Sequence, residues 1–199
     1  IKCSFILFMY GGKGMEQKKR IIVLCMLVVG FLAPSACAIV QKEELMDQST
    51  PLGTGDYICG MNNNYIAQSF KPTIPVLSRV ELGLFKQENI TGTFTISIRQ
   101  KLNGEDLASK TVSIEEVPWQ SYGDWVSIDF QDIDVTPNKR YYIVFTSDDA
   151  RDVLWIMSNS NPYHRGRPWT FGGSLPFWIP VFLVVTKIPD MSFRTYGYE

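Results

Sequence analysis

One short segment of this 199-residue sequence combines several side chains that recognise polar ligands. Its members are Tyr163, His164, Arg165, Arg167 and Trp169. Arginine and histidine donate N–H groups to hydroxyl or carboxylate oxygens, and aromatic rings offer flat apolar faces. Pro162 and Pro168 flank the segment and stiffen it, which lowers the ordering cost of binding. We predict that these five residues form a partly exposed surface that binds a neutral or acidic saccharide.

Aromatic residues are frequent within and beside this segment, in a region rich in glycine and proline. The candidates are Trp155, Tyr163, Trp169, Phe171 and Trp178. Loops place side chains at the surface, where rings can stack on sugar faces. The alternative is packing in the core, where most of a large aromatic residue is usually buried.

Catalytic groupings are weakly represented. His164 is the only histidine, which excludes a His-rich zinc centre, and the sequence has no G-x-S-x-G motif. Carboxylates that a glycosidase could use are Glu115, Glu116, Asp148, Asp149, Asp129, Asp132 and Asp134. Neighbouring strand residues point to opposite faces, so we expect these acids to be solvated. We predict that the protein is not an enzyme, and an extracellular glycoside hydrolase is the second alternative.

A secretion leader is predicted near the start of the sequence. Residues 15–38 contain a basic stretch, an apolar stretch from Ile21 to Ala33, and small residues at Ala36 and Ala38. The apolar stretch is shorter than the roughly 20 residues that a membrane-spanning helix needs. We expect cleavage after Ala38 and a secreted or cell-surface protein. Residues 1–14 are interpreted as translation from upstream of a start at Met15, and lipidation of Cys37 stays open.

Charge and cysteine content restrict the partners. The sequence has 19 basic and 20 acidic residues, and residues 1–38 hold five of the bases and one of the acids, so 14 and 19 follow the leader. The resulting formal charge of −5, without basic clusters, excludes nucleic acid as a partner. We expect an extracellular glycan or a surface protein instead, and membrane contact only through the leader. Cys59 is the only cysteine after the leader, so no internal disulfide is expected.

Alternating hydrophobicity predicts an all-β domain over residues 65–199, preceded by an entry segment over residues 39–64. The predicted core residues are Val80, Leu82, Phe94, Ile96, Ile98, Val126, Ile128, Phe130, Ile143 and Phe145. Asn103-Gly104 predicts a hairpin turn between two of the strands. Short strands without an amphipathic helix favour a two-sheet antiparallel β-sandwich, with an immunoglobulin-like sandwich as the runner-up.

Several motifs occur in a characteristic order. They are Ile66–Pro72, Leu77–Leu82, Trp125-Val126, Val135–Val144, Asn161–Tyr163 with Gly166, and Asp190–Gly197. This order resembles a family of secreted prokaryotic jelly-roll domains of unknown function, which is similar to galactose-binding-like carbohydrate modules. The resemblance implies an exported, non-catalytic module for carbohydrate binding or cell-surface adhesion. A purely structural module of the cell envelope is the alternative.

Three further features are expected from this resemblance and from local motifs. The resemblance implies a structural calcium ion near the chain ends, with Asp47 and Asp190 as ligands. Asn89 begins an Asn-Ile-Thr glycosylation sequon in an expected loop. Pro137 and Tyr141 resemble a tyrosine corner, in which the phenol bonds to nearby backbone. Asn138 stands where the family usually has glycine, and asparagine tolerates positive φ.

Overall fold

The computed structural model describes residues 42–53, 57–58, 65–86, 90–119, 123–147, 153–158, 160–172, 175–181 and 189–199. The predicted leader, Cys59, Asn89, Asp148 and Asp149 lie outside the described residues. No helix in the described ranges is long and apolar enough to cross a membrane.

Twelve strands and one 3-10 turn make up the described structure. The strands are β1 (Leu45–Ser49), β2 (Tyr57–Ile58), β3 (Tyr65–Phe70), β4 (Val76–Lys86), β5 (Thr93–Arg99), β6 (Asp106–Ser113), β7 (Asp124–Asp134), β8 (Tyr141–Ser147), β9 (Val153–Ile156), β10 (Pro168–Gly172), β11 (Leu175–Pro180) and β12 (Phe193–Tyr198). The 3-10 turn covers Ile114–Glu116. The fold is therefore all-β, as the alternation predicts.

The strands form two antiparallel sheets of six strands each. In the first sheet, β4 pairs with β7 on one side; on the other it pairs with β12 and, further along, with β9. β1 extends the sheet beyond β12, and β2 extends it beyond β9. The second sheet has the order β11-β10-β3-β8-β5-β6. This arrangement confirms the predicted two-sheet antiparallel β-sandwich.

Apolar residues from the inner faces of both sheets share one core. The ring centroids of Phe145 and Trp155 lie 6.3 Å apart, and those of Phe70 and Phe193 lie 6.4 Å apart, so each pair joins the two sheets. Nine of the ten predicted core residues are buried. Phe130 is only partly buried, because the register of β7 against β4 shifts beside it and leaves this edge strand irregular.

Two connections confirm local sequence signals. Thr136 N donates a 2.8 Å hydrogen bond to the phenol oxygen of Tyr141, as a tyrosine corner requires. Asn138 adopts a φ of +65°, the left-handed conformation expected for the residue at this turn. The β5–β6 hairpin is also present: six residues connect its strands, and Gly104 N donates to the Lys101 carbonyl at 2.9 Å in a turn that contains Asn103. Asn103 is exposed in this connection.

Candidate functional site

The predicted saccharide-binding segment runs from the β9–β10 connection into β10 and is hydrogen-bonded to β3. Ser69 N donates to the carbonyl of Arg167 at 3.0 Å, and Arg167 N donates to the Ser69 hydroxyl at 2.9 Å. A Cβ at Gly166 would lie 1.8 Å from the Ser69 carbonyl oxygen, so only glycine allows the chain to approach this closely. The segment is therefore a fixed connection rather than a free loop.

The prediction that Tyr163 belongs to an exposed surface is wrong. Its exposed fraction is 6%, and its ring packs edge-to-face against Phe193 with the centroids 5.1 Å apart. Its phenol donates to Gln48 Oε1 and accepts from Lys71 N, both at 3.0 Å. Burial raises the pKa of this phenol. Tyr163 therefore joins the segment to the core and cannot stack on a ligand.

The other four predicted residues differ in exposure and in their described contacts. His164 and Arg167 are exposed, whereas Arg165 donates 2.6 Å to Asn138 Oδ1 and 3.4 Å to Gln48 Oε1. Trp169 lies on β10 opposite Ala67, on the outer face of the second sheet. Its indole nitrogen is buried and has no hydrogen-bond partner among the described residues. Whether His164, Arg165, Arg167 and Trp169 bind a ligand stays a prediction.

Asp47 and Asp190 belong to one hydrogen-bonded network at the chain ends. Asp190 is fully buried and accepts from Gln68 Nε2 at 3.1 Å and from Tyr163 N at 2.9 Å. Burial raises the pKa of Asp190 to about 6, although both hydrogen bonds oppose the shift. Asp47 accepts from Thr73 N at 3.0 Å and from Gln48 Nε2 at 2.8 Å.

The carboxylates of this network already have hydrogen-bond partners within the protein. Both carboxylates accept N–H groups, which compete with a cation for the carboxylate oxygen atoms. No group of three or more His, Cys, Asp or Glu residues that could hold a metal occurs among the described residues. Calcium binding by Asp47 and Asp190 remains a prediction.

The candidate glycosidase carboxylates lie elsewhere and have structural or solvent contacts. Glu116 accepts from Ser113 N at 3.3 Å in the capping box of the 3-10 turn, which also contains Glu115. On the edge strand β7, the side chain of Asp129 is 78% exposed, and Asp132 and Asp134 are also exposed. The described acids therefore form no facing pair across a cleft.

The outer face of the second sheet carries an aromatic cluster. Ile66 and Phe70 of β3 point into the core, so Tyr65, the strand neighbour of Ile66, points outward. Phe171 of β10 lies opposite Tyr65, and Trp178 of β11 lies opposite Phe171. Antiparallel partners directly opposite each other share a face, so the order of β3, β10 and β11 brings these three rings together.

These rings and two polar residues line a cleft of about 170 Å³. Its described lining consists of Tyr65, Arg99, Asn103, Phe171 and Trp178. Phe171 lies 5.7 Å from both Tyr65 and Trp178, and all three rings meet edge-to-face at interplanar angles of 66–76°. We call these five residues the aromatic cleft. Inclined rings form walls rather than a flat platform, so the cleft is shaped for one small ring or chain.

Polar groups on the far side of the aromatic cleft are held by the β5–β6 hairpin. Arg99 donates from Nε to Asp106 Oδ1 at 2.5 Å and from Nη1 to the carbonyl of Leu102 at 3.2 Å. Asp106 also accepts from the Ser97 hydroxyl at 3.0 Å. Asn103, in the connecting loop, is exposed and supplies both a donor and an acceptor. An apolar wall facing a few fixed polar groups is the usual composition of a small-molecule site.

The outer face of the first sheet is polar, and its charges are paired with one another. Arg79 lies 2.6 Å from Glu44 and 2.7 Å from Glu81, and its guanidinium stands 3.6 Å above the Tyr196 ring. Hydrogen bonding to Arg79 holds the pKa of Glu44 below its usual range. Burial opposes the same shift in Glu81, but hydrogen bonds from Tyr196, Arg194 and Arg79 lower its pKa overall. These contacts stabilise the outer face of the sheet.

The chain matches no model of a known protein family, and a comparison with curated proteins found no match. The resemblance to secreted jelly-roll domains therefore stays a prediction, and the candidate site is defined by geometry.

The sequence alone identifies only part of the aromatic cleft. Phe171 and Trp178 are among the aromatic candidates that the sequence indicates, whereas Tyr65, Arg99 and Asn103 are not. Trp155, another candidate, is fully buried and donates its indole N–H to the Ser192 carbonyl at 2.9 Å. One signal for Tyr65 is present in the sequence: it begins an alternating strand in which Ile66 faces the core, which places an aromatic residue on the outer face.

Proposed function

We propose that this domain is an exported, non-catalytic module that binds carbohydrate in the aromatic cleft. Three rings on one outer face, with polar side chains beside them, support this function. A sugar ring has apolar C–H faces and a rim of hydroxyl groups, and the cleft offers a partner to each. Secretion, which the predicted leader implies, would expose the site to extracellular glycans or to sugars of the cell surface.

The single observation that carries the proposal is the edge-to-face arrangement of Tyr65, Phe171 and Trp178. Tyr65 is 38% exposed, although a core position would bury so large a side chain. Exposed aromatic residues that cluster around a cavity are typical of binding sites, whereas single exposed ones are common everywhere. Since the ring planes are steeply inclined, one sugar ring can rest on one aromatic face while its edge contacts another.

The size of the aromatic cleft favours a single sugar ring over a long stretch of polymer. Its volume of about 170 Å³ is below the roughly 300–1,000 Å³ of pockets that enclose drug-sized ligands. A ligand with about 12 non-hydrogen atoms, bound at about 0.3 kcal/mol per atom, would have a Kd of about 2 mM. We therefore expect weak binding per site, and useful retention only on ligands that display many copies of the sugar.

The non-catalytic part of the proposal rests on the contents of the aromatic cleft. Its described lining holds one arginine and one asparagine but no carboxylate, histidine or thiol. General acid–base and nucleophilic chemistry on a glycosidic bond ordinarily needs two carboxylic acids across the ligand. Arginine and asparagine orient a sugar but do not transfer its protons at neutral pH. A purified protein that releases reducing ends from the glycan it binds would contradict this assignment.

Binding to a glycan array, followed by calorimetric titration, tests the proposal. Trp178→Ala removes a wall of the aromatic cleft, and we expect at least a tenfold loss of affinity, about 1.4 kcal/mol. Phe177→Ala is the matched control: Phe177 is the neighbour of Trp178 on β11, points to the opposite face and is 49% exposed. The Phe177→Ala variant should bind the sugar with the affinity of the parent protein.

Three outcomes would reject carbohydrate binding at this site. The parent protein could retain no glycan, which would favour the purely structural envelope module. Both variants could lose affinity equally while remaining folded, which would mean that the loss is not specific to the aromatic cleft. Both could bind as the parent does, which would place the ligand elsewhere. Thermal melting of each variant confirms that the sandwich is folded in every comparison.

A further inference from the structure

Arg99 is the only charged residue among the described residues that line the aromatic cleft. Its side chain is 19% exposed, and that of its partner Asp106 is 36% exposed. Arginine is the residue that most often recognises carboxylates, so an unpaired Arg99 would make the cleft a site for acidic sugars. The existing contacts of Arg99 determine whether its charge can bind a ligand carboxylate.

Asp106 and the hairpin backbone already occupy much of the Arg99 guanidinium. Nε donates to Asp106 Oδ1, and Nη1 donates to the Leu102 carbonyl, so Nη2 is the nitrogen without an acceptor in the described part of the chain. Asp106 Oδ1 lies 2.5 Å from Arg99 Nε, so the negative charge of Asp106 compensates the positive charge of Arg99. A ligand carboxylate would therefore meet a neutral ion pair and a nearby like charge, whereas a hydroxyl needs only one remaining N–H donor.

We propose that the aromatic cleft selects neutral sugar rings over acidic ones, and that Asp106 determines this selectivity by compensating Arg99. This inference rests on the proposed carbohydrate-binding function and specifies its substrate class. Asp106 is a positioning residue, because it does not line the cleft and acts through Arg99. Ser97 holds the second oxygen of Asp106 at 3.0 Å, so the carboxylate is fixed in the orientation that serves Arg99.

Replacing Asp106 with asparagine tests the role of its charge. The D106N variant would keep the size of the side chain but leave the positive charge of Arg99 uncompensated. The probes are methyl hexopyranosides and the matching methyl hexopyranosiduronates, which differ only in a C6 hydroxymethyl or carboxylate group. The parent protein should bind the neutral member at least about threefold more tightly than the acidic one. In D106N, affinity for the acidic member should rise about threefold to fivefold, the upper part of the range for an exposed charge pair.

Two matched variants separate the local contact from net charge. Glu105→Gln removes the same charge from the neighbouring exposed residue, which has no contact with Arg99 among the described hydrogen bonds and ion pairs, and should keep the parent's selectivity. Asp106→Glu keeps the charge and should restore the neutral preference that D106N loses. Raising the salt concentration should reduce the gain of D106N for the acidic probe, because an exposed charge pair is screened.

The possible results distinguish this inference from the proposed function. If the parent binds neither probe, carbohydrate binding itself fails and the selectivity fails with it. If the parent binds both probes equally or prefers the acidic one, the site stands and the neutral selectivity is wrong. If D106N keeps the parent's ratio of affinities, or E105Q changes it equally, Asp106 does not determine selectivity. Melting curves of all four proteins show whether the hairpin remains folded.

Discussion

The backbone N–H of Tyr163 donates a 2.9 Å hydrogen bond to Oδ2 of the buried Asp190, 27 residues further along the chain. This contact joins the segment before β10 to the segment before β12. It also explains the inward orientation of the Tyr163 side chain, since the backbone is fixed with the ring against Phe193. A residue that resembles a ligand contact in sequence is therefore part of the architecture.

Tyr163→Phe should lower stability without affecting saccharide binding. The variant keeps the ring in the core but leaves Lys71 N without its acceptor and removes the donor to Gln48 Oε1. Loss of these hydrogen bonds should reduce the free energy of unfolding by about 1–3 kcal/mol. Urea unfolding measures the stability, and titration with the sugar that the parent binds measures the affinity. A folded variant with the parent's stability and reduced affinity would restore Tyr163 as a ligand contact.

Asp190 should make stability fall as pH rises from about 4 to about 6. Burial raises its pKa from 3.8 to about 6, so in this window the folded state binds the proton more tightly than the unfolded state. The stabilising contribution is fully present below the unfolded pKa and is lost as pH rises through the folded value. The change over the window is up to about 3 kcal/mol.

Asp190→Asn separates this contribution from those of other carboxyl groups. The variant cannot ionise, so its free energy of unfolding should lack the decrease between pH 4 and pH 6. It should be less stable overall at acidic pH, because an amide cannot accept from both Gln68 Nε2 and Tyr163 N. Urea unfolding at half-unit pH intervals gives the difference between the two proteins. Parallel curves would show that Asp190 does not titrate in this range.

The strands could be predicted from sequence because their signal is local. Alternation places residues such as Val80, Phe94 and Ile143 in the core, and all three are buried. The Thr136–Tyr141 contact could be predicted equally well, since the two residues are only 5 positions apart in the sequence. Such features depend on neighbours along the chain, which a sequence displays directly.

The candidate site could not be assembled in the same way. Tyr65, Phe171 and Trp178 meet only because β3 is followed across the sheet by β10 and then by β11. Likewise, Tyr163 is buried by contacts with Gln48, 115 residues away, and with Phe193. Composition of a single segment indicates neither strand order nor a distant partner. It therefore favours a local cluster of residues 163–169 over a cleft built from several strands.

Arg79→Lys should destabilise the outer face of the first sheet. Arg79 contacts Glu44 through Nε and Nη2, contacts Glu81 through Nη1 and lies over the Tyr196 ring. A lysine ammonium cannot keep this planar set of contacts. We expect a loss of about 1–2 kcal/mol in the free energy of unfolding, measured by urea titration. Arg140→Lys, at an exposed position, is the control and should change stability by less than about 0.5 kcal/mol.

Asn138 combines a strained backbone with a side-chain contact, and two substitutions separate these roles. Its φ of +65° is unfavourable for residues with a Cβ, and its Oδ1 accepts from Arg165 Nη2 at 2.6 Å. Asn138→Ala loses the hydrogen bond and places at positive φ a residue that tolerates it less well than asparagine, so we expect a loss of about 1–2 kcal/mol. Asn138→Gly loses the same hydrogen bond but adopts positive φ without a steric penalty, and should therefore be less destabilised than the alanine variant.

Thermal and urea unfolding of both variants measures the difference in stability between Asn138→Gly and Asn138→Ala. This difference reports the backbone contribution, because both variants lack the side-chain contact with Arg165. If the glycine variant is as unstable as the alanine variant, the Arg165 contact accounts for the stabilisation and the backbone conformation contributes little.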